Sequence, residues 1–176
     1  MKTHIMIDLE TLGTNVDSQI LSIGACAFGP DGISDTFYTV INLPQDQHVK
    51  TTPGTLAFWL GQGSEALSAI WATDMKLDEP EALIALAHWL QGFAGEHIIW
   101  ANGTKFDLGM LEHAYKEFLM TPPWFHNADR CMRTLRAHVG RINIDFNGIP
   151  HHALDDAKYQ ALYVIQAHNI LGLEWE

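Results

Sequence analysis

Cysteine is nearly absent: Cys26 and Cys131 are the only two in 176 residues. Isolated from each other, they supply neither a disulfide framework nor the CxxC pair of a zinc site, and both are expected to be reduced. Basic residues are also few, 10 Lys plus Arg against 21 Asp plus Glu, for a formal net charge of -11. A chain of that sign does not coat duplex DNA by neutralising its phosphates. A carboxylate cluster that holds divalent cations escapes the objection, because the ions bring the positive charge that meets a phosphate. The chain has no uninterrupted apolar run of the length a membrane-spanning helix needs. Its N-terminus enters an alternating pattern at once, without the apolar stretch and cleavage site of a signal peptide, so the expected location is cytoplasmic. With 47% of its residues hydrophobic, the chain suits one domain over residues 1–176.

Residues 4–10 alternate, with Ile5, Ile7 and Leu9 on one side and Met6, Asp8 and Glu10 on the other, which predicts a strand. Residues 19–28 and 36–42 read as further strands, separated by the turn-rich Gly29-Pro30-Asp31-Gly32, and complete an antiparallel meander. Beyond Pro53 the composition shifts to Ala, Leu, Trp and Glu, predicting helices near 55–72 and 79–93 with a break at Gly61-Gln62-Gly63. A short strand at 98–101 follows. Helices are then expected over 105–118, 129–139 and 152–171, with an extended piece at 125–128 and a loop at 140–150. Strands first and then strands interleaved with helices indicate an α/β fold with a mixed sheet, five-stranded on this count, and flanking helices.

Three segments stand out chemically. In Asp8-Leu9-Glu10-Thr11, residues two apart on a strand set two carboxylates roughly 7 Å apart on one face, close enough to grip one cation. A solvated strand end is the plainer reading, although Asp is disfavoured in strands. In Asn102-Gly103-Thr104-Lys105-Phe106-Asp107, an acid opens a helix directly after a strand, where open α/β sheets bind ligands. Thr104 as N-cap, with an acid three positions on, is the plainer reading there. In His151-His152-Ala153-Leu154-Asp155-Asp156, two acids in a first helical turn are already explained by the helix dipole. A neutral imidazole beside them is also what a general base for water requires.

Together these segments resemble the DnaQ-like 3′-to-5′ exonucleases of RNase H-like fold, in their DEDDh branch, over essentially the whole chain. The first motif, Asp-x-Glu-Thr, matches Asp8, Glu10 and Thr11. The second, Asn followed at short spacing by an aromatic and Asp, matches Asn102, Phe106 and Asp107. The third, His with Asp five positions on in an H-x-A-L-x-D-A setting, matches His151 and Asp156, with His152 the neighbouring alternative. Within the branch the chain is similar to the phage exonuclease A and exonuclease VIII group, through residues 55–59 and 130–134. Phe58 stands where that group usually has the first of two tryptophans, and Cys131 where it usually has Asp.

The resemblance implies release of nucleoside 5′-monophosphates from single-stranded 3′ ends of DNA or RNA by two-metal hydrolysis. One ion would be held by Asp8, Glu10 and Asp156, and a second by Asp8 and the substrate phosphate, with Asp107 reaching it through water. The all-oxygen ligand set favours Mg²⁺ or Mn²⁺ over zinc. His151 is then the general base. Thr11, Leu12 and Asn102 would contact the terminal nucleotide, Phe106 or Trp59 would stack on a base, and Arg130 and Arg133, one helical turn apart, would meet phosphates. For Trp59, core packing is the competing reading. A homodimer is expected from the habits of small relatives. Two rivals remain: a binding module of the same fold with catalysis lost, and an RNase H-like endonuclease.

Overall fold

A computed structural model describes residues 2–43 and 49–175. Strands β1 (Thr3–Thr11), β2 (Ile20–Gly29) and β3 (Gly32–Ile41) form the expected antiparallel meander. Gly32 closes its second turn with φ +118°, a backbone setting that a Cβ disfavours. Strand β5 (His97–Ala101) runs parallel to β1, and β6 (Asp129–Cys131) runs parallel to β5. Among the described residues six strands are paired rather than five, in the order β4-β3-β2-β1-β5-β6. The addition is β4 (Lys76–Leu77), two residues lying parallel to the end of β3. So short a strand has no periodicity to read; it exists because Val40 and Ile41 of β3 offer it a ladder.

The helices are α1 (Pro53–Leu60), α2 (Ser64–Trp71), α3 (Glu79–Gln91), α4 (Thr104–Glu117), α5 (Met132–Val139) and α6 (Ala153–Leu171). Gly61 caps α1 and separates it from α2. The 129–139 helix starts three residues later than expected, because residues 129–131 extend to pair with β5, and the extended piece moves to them from 125–128. None of the helices among the described residues is long and apolar enough to cross a membrane.

The alternation in β1 sorts its side chains between two cores. Ile5, Ile7 and Leu9 pack with Leu83, Leu86 and Leu90 of α3 and Leu108 and Leu111 of α4. Met6 packs on the other face with Ala157, Ala161 and Val164 of α6. Each such buried aliphatic side chain stabilises the fold by about 1.5–3 kcal/mol. A strand covered on both faces cannot slip by one residue without exchanging the two sets, which fixes which way Asp8 and Glu10 point. Helix α6 also lies against β2 at Gly24, where any Cβ would overlap the backbone of Ala153 and Leu154.

Candidate active site

Asp8 and Glu10 occupy the Met6 side of β1 and so face α6. A register shift after Glu10 ends the regular pairing with β2 at the same place, and such irregularities re-aim strand-end side chains. Asp107 arrives from α4, where its Oδ1 accepts the Leu9 N–H at 3.3 Å across the end of β1. Gly103, not Thr104, is the N-cap of that helix, and no side chain caps it. Asp156 lies in the first turn of α6, and its Oδ2 accepts the His151 N–H at 3.2 Å. One ligand atom each from Glu10, His151 and Asp156 lies within 4.8 Å of the others. Asp8 Oδ1 accepts a 2.7 Å hydrogen bond from Gln160 Nε2, one turn beyond Asp156 on α6. Four acids from three elements thus converge with one histidine.

Their proximity is written in their acidities. Burial, followed by the charges of Asp156 and Asp107, pushes Glu10 up to about 8. Burial raises Asp107 to about 7 against the opposing pull of the Leu9 N–H, the local backbone and Arg133. Asp8 is raised well above its ordinary value by burial and then by Asp107 and Glu10. Asp156 is raised by burial, with His151 opposing. Acids so crowded and desolvated cannot all ionise at neutral pH unless positive charge joins them. A hard divalent cation with oxygen ligands fits this donor set.

The two adjacent histidines part company. His151 adopts φ +61°, uncommon for a residue with a Cβ, and its ring packs edge-on to Phe58 with centroids 4.9 Å apart. His152 turns instead to structure: its Nδ1 accepts the Asp155 N–H at 3.4 Å, capping α6, and its ring lies 4.3 Å from that of Tyr38. Burial, partly offset by Asp155, lowers the His152 pKa and keeps that ring neutral. Asp155 also accepts the Ile149 N–H at 3.0 Å, tying down the loop that carries His151.

Beside Glu10 opens a cavity of about 400 Å³ whose walls include Thr11, Phe58, Trp59 and Phe106. Trp59 is only 3% exposed and its indole N–H donates to the Thr11 carbonyl at 2.8 Å, whereas Phe58 is 41% exposed. The sequence flagged Trp59; the more open ring is its neighbour. Leu12 is buried against Trp59, Leu21, Val40 and Ile70. Asn102, at the end of β5, accepts the Cys131 thiol at its carbonyl, 3.7 Å away. Arg130 and Arg133 do not share a helix face as expected, because Arg130 belongs to β6 and its guanidinium donates to the carbonyls of Asn127 and Asp129. Arg133, in the first turn of α5, lies over Gly103, where an added Cβ would come within 3.3 Å of its Nη2.

Solved structures share this arrangement of chain. The nuclease domain of 3′hExo, a DEDDh family member bound to rAMP, is 14% identical over 99% of this chain and 95% of its own, with a TM-score of 0.67. A 3′-exonuclease that recognises the histone mRNA stem-loop is 14% identical over 96% of this chain and 82% of its own, TM-score 0.64. E. coli exonuclease I with a dT13 oligonucleotide is 16% identical over 98% of this chain, TM-score 0.64, and this chain spans 41% of it. At these identities the likeness establishes the RNase H-like fold. No curated protein matches the sequence. The model of the 3′-5′ exoribonuclease Rv2179c-like domain matches residues 3–167, so the chain belongs to that family and is a 3′-5′ exonuclease.

Proposed function

We propose that the chain, as a single domain, shortens single-stranded RNA from its 3′ end one nucleotide at a time, releasing nucleoside 5′-monophosphates. The observation that carries this reading is the convergence of Asp8, Glu10, Asp107, Asp156 and His151 beside a cavity in the size range of small-ligand clefts. RNA is favoured over DNA by the description of the family. Asp8, Glu10 and Asp156 would hold one divalent ion, Mg²⁺ or Mn²⁺, and Asp8 with the substrate phosphate a second, which Asp107 would reach through water. When bound, such ions supply Lewis acidity to water and phosphate and neutralise developing charge.

The protein's own groups do the rest. His151 accepts the proton of the attacking water at an imidazole nitrogen, held in place by its N–H bond to Asp156 and by the edge of Phe58. The bond from phosphorus to the 3′ oxygen of the penultimate nucleotide breaks as the bond to water forms. Thr11 lines the terminal nucleotide's site with its carbonyl fixed by the Trp59 indole, Leu12 backs that wall from the core, and Asn102 approaches from the end of β5. Phe106 stacks on a base, and Phe58 is placed to do so as well. Arg133, beside Asp107, meets a phosphate. Cys26 and Cys131 are free thiols, in keeping with a reducing compartment such as the cytoplasm. The similarity to the phage exonuclease A and exonuclease VIII group belongs to the same proposal.

Matched single-stranded RNA and DNA oligomers labelled at the 5′ end, digested with Mg²⁺ or Mn²⁺, test the reading. A ladder shrinking by single nucleotides, faster on RNA, with mononucleotide products is expected. Short oligomers as first products would point to an endonuclease instead, and binding without cleavage in either metal would leave a catalytically silent binding module.

A further inference from the structure

Gln160 takes no part in the motifs that mark the site, yet its side chain is 6% exposed and ends on Asp8. It lies on α6 four residues after Asp156, so one helical face presents both side chains to β1. Its Nε2 donates to Asp8 Oδ1 at 2.7 Å, while its Oε1 is buried and meets no donor among the described residues. The amide orientation is therefore dictated by Asp8 alone: turned over, it would set a carbonyl against a carboxylate. A polar side chain buried with half its hydrogen-bonding capacity unused is a poor choice for stability.

We infer that Gln160 is a positioning residue that fixes the rotamer of Asp8 for cation binding while leaving its charge untouched. The inference rests on the metal-dependent reading above. The residue type matters. Asp8 is surrounded by Asp107, Glu10 and Asp156, and a Lys or Arg in place of Gln160 would orient Asp8 equally well but cancel the negative charge a cation needs. A neutral donor occupies part of Oδ1, settles the χ angles, and leaves the second oxygen and the full charge available. Partners that orient a ligand from behind in this way typically change metal affinity or activity by about 10–100-fold when lost.

The test is Gln160→Met, which preserves length and volume and removes the amide, with Gln160→Leu as a second variant of different shape. Mn²⁺ binding to the nucleic-acid-free protein is counted by the loss of the free-ion electron paramagnetic resonance signal, alongside thermal melting and the Mg²⁺ dependence of turnover. The expected result is a melting temperature equal to or above wild type, Mn²⁺ affinity lower by about 10–100-fold, and activity that climbs back toward wild type as Mg²⁺ is raised, with KM for the strand unchanged. Wild-type Mn²⁺ affinity in either folded variant overturns the inference, as does a KM defect that added metal does not repair, which would make Gln160 a substrate contact. Should the wild type itself neither bind Mn²⁺ nor degrade nucleic acid, the metal-dependent reading falls, and this inference with it.

Discussion

Asp107→Asn should stabilise the metal-free protein in alkaline solution and leave it nearly unchanged in acid. The substitution keeps an oxygen for the Leu9 N–H but cannot ionise. Unfolded, the carboxyl titrates near its ordinary 3.8; folded, burial holds it to about 7. Between those values the native state binds more protons than the unfolded state, so stability falls as pH rises, beginning near pH 4 and ending just above pH 7. A gap of about 3 pH units corresponds to about 4 kcal/mol in full, of which roughly 2–3 kcal/mol is lost between pH 5 and pH 8. For a chain of this size that is roughly 5–10 °C in melting temperature. Thermal unfolding in EDTA at the two pH values reads it directly: the variant should gain roughly 5–10 °C on wild type from pH 5 to pH 8, and Mg²⁺ at pH 8 should narrow the gap by stabilising wild type. Parallel melting curves at both pH values, or a variant less stable at pH 8, would refute the argument that the acids are forced together for a cation.

His151→Ala should lower turnover by roughly 10²–10⁴-fold with metal binding reduced far less, whereas His152→Ala should cost about 0.5–2 kcal/mol of stability through the lost cap and little turnover; a larger catalytic loss at His152 would reverse the assignment. With only 10 Lys plus Arg in the chain and Arg130 donating to local carbonyls, few phosphates beyond the metals are met, so binding of a single strand in Ca²⁺ should show a slope of log K against log salt of about −1.5 to −2. A slope steeper than about −4, or affinity that climbs steadily with strand length, would reveal a basic track. The homodimer expected from the habits of small relatives is tested by light scattering at micromolar concentration, where a monomer mass removes it.

The acids were legible because each sits where local pattern and chemistry disagree. Asp8 and Glu10 interrupt an apolar strand, and the alternation around them states which face they share. Asp107 and Asp156 open helices that follow a strand and a loop, so their positions follow from helix starts. What stayed hidden depends on distant partners. Leu77 pairs only because Ile41 ends beside it, and Arg130 extends rather than coils because Trp100 lies opposite. Gln160 looks like any polar residue on a helix until the sheet brings Asp8 to it from 152 positions away. The choice between Phe58 and Trp59 turned on which ring the Thr11 carbonyl captured, which no local pattern announces. The difference between the two histidines, a positive φ at position 151 and a ring partner for His152 in Tyr38 on another strand, is equally beyond local pattern.

Gly24 sits mid-strand, paired across the sheet with Asp8, and has no chemistry of its own. Because α6 rests directly on its backbone, a methyl group there would lift the helix that carries Asp156, Gln160 and the anchor of His151, while β1 with Asp8 and Glu10 stayed in the sheet. In a saturation screen for activity, substitutions at this silent position should therefore score like losses of a metal ligand, and because the overlap is with the backbone of Ala153 and Leu154, trimming a side chain at the start of α6 should not restore them.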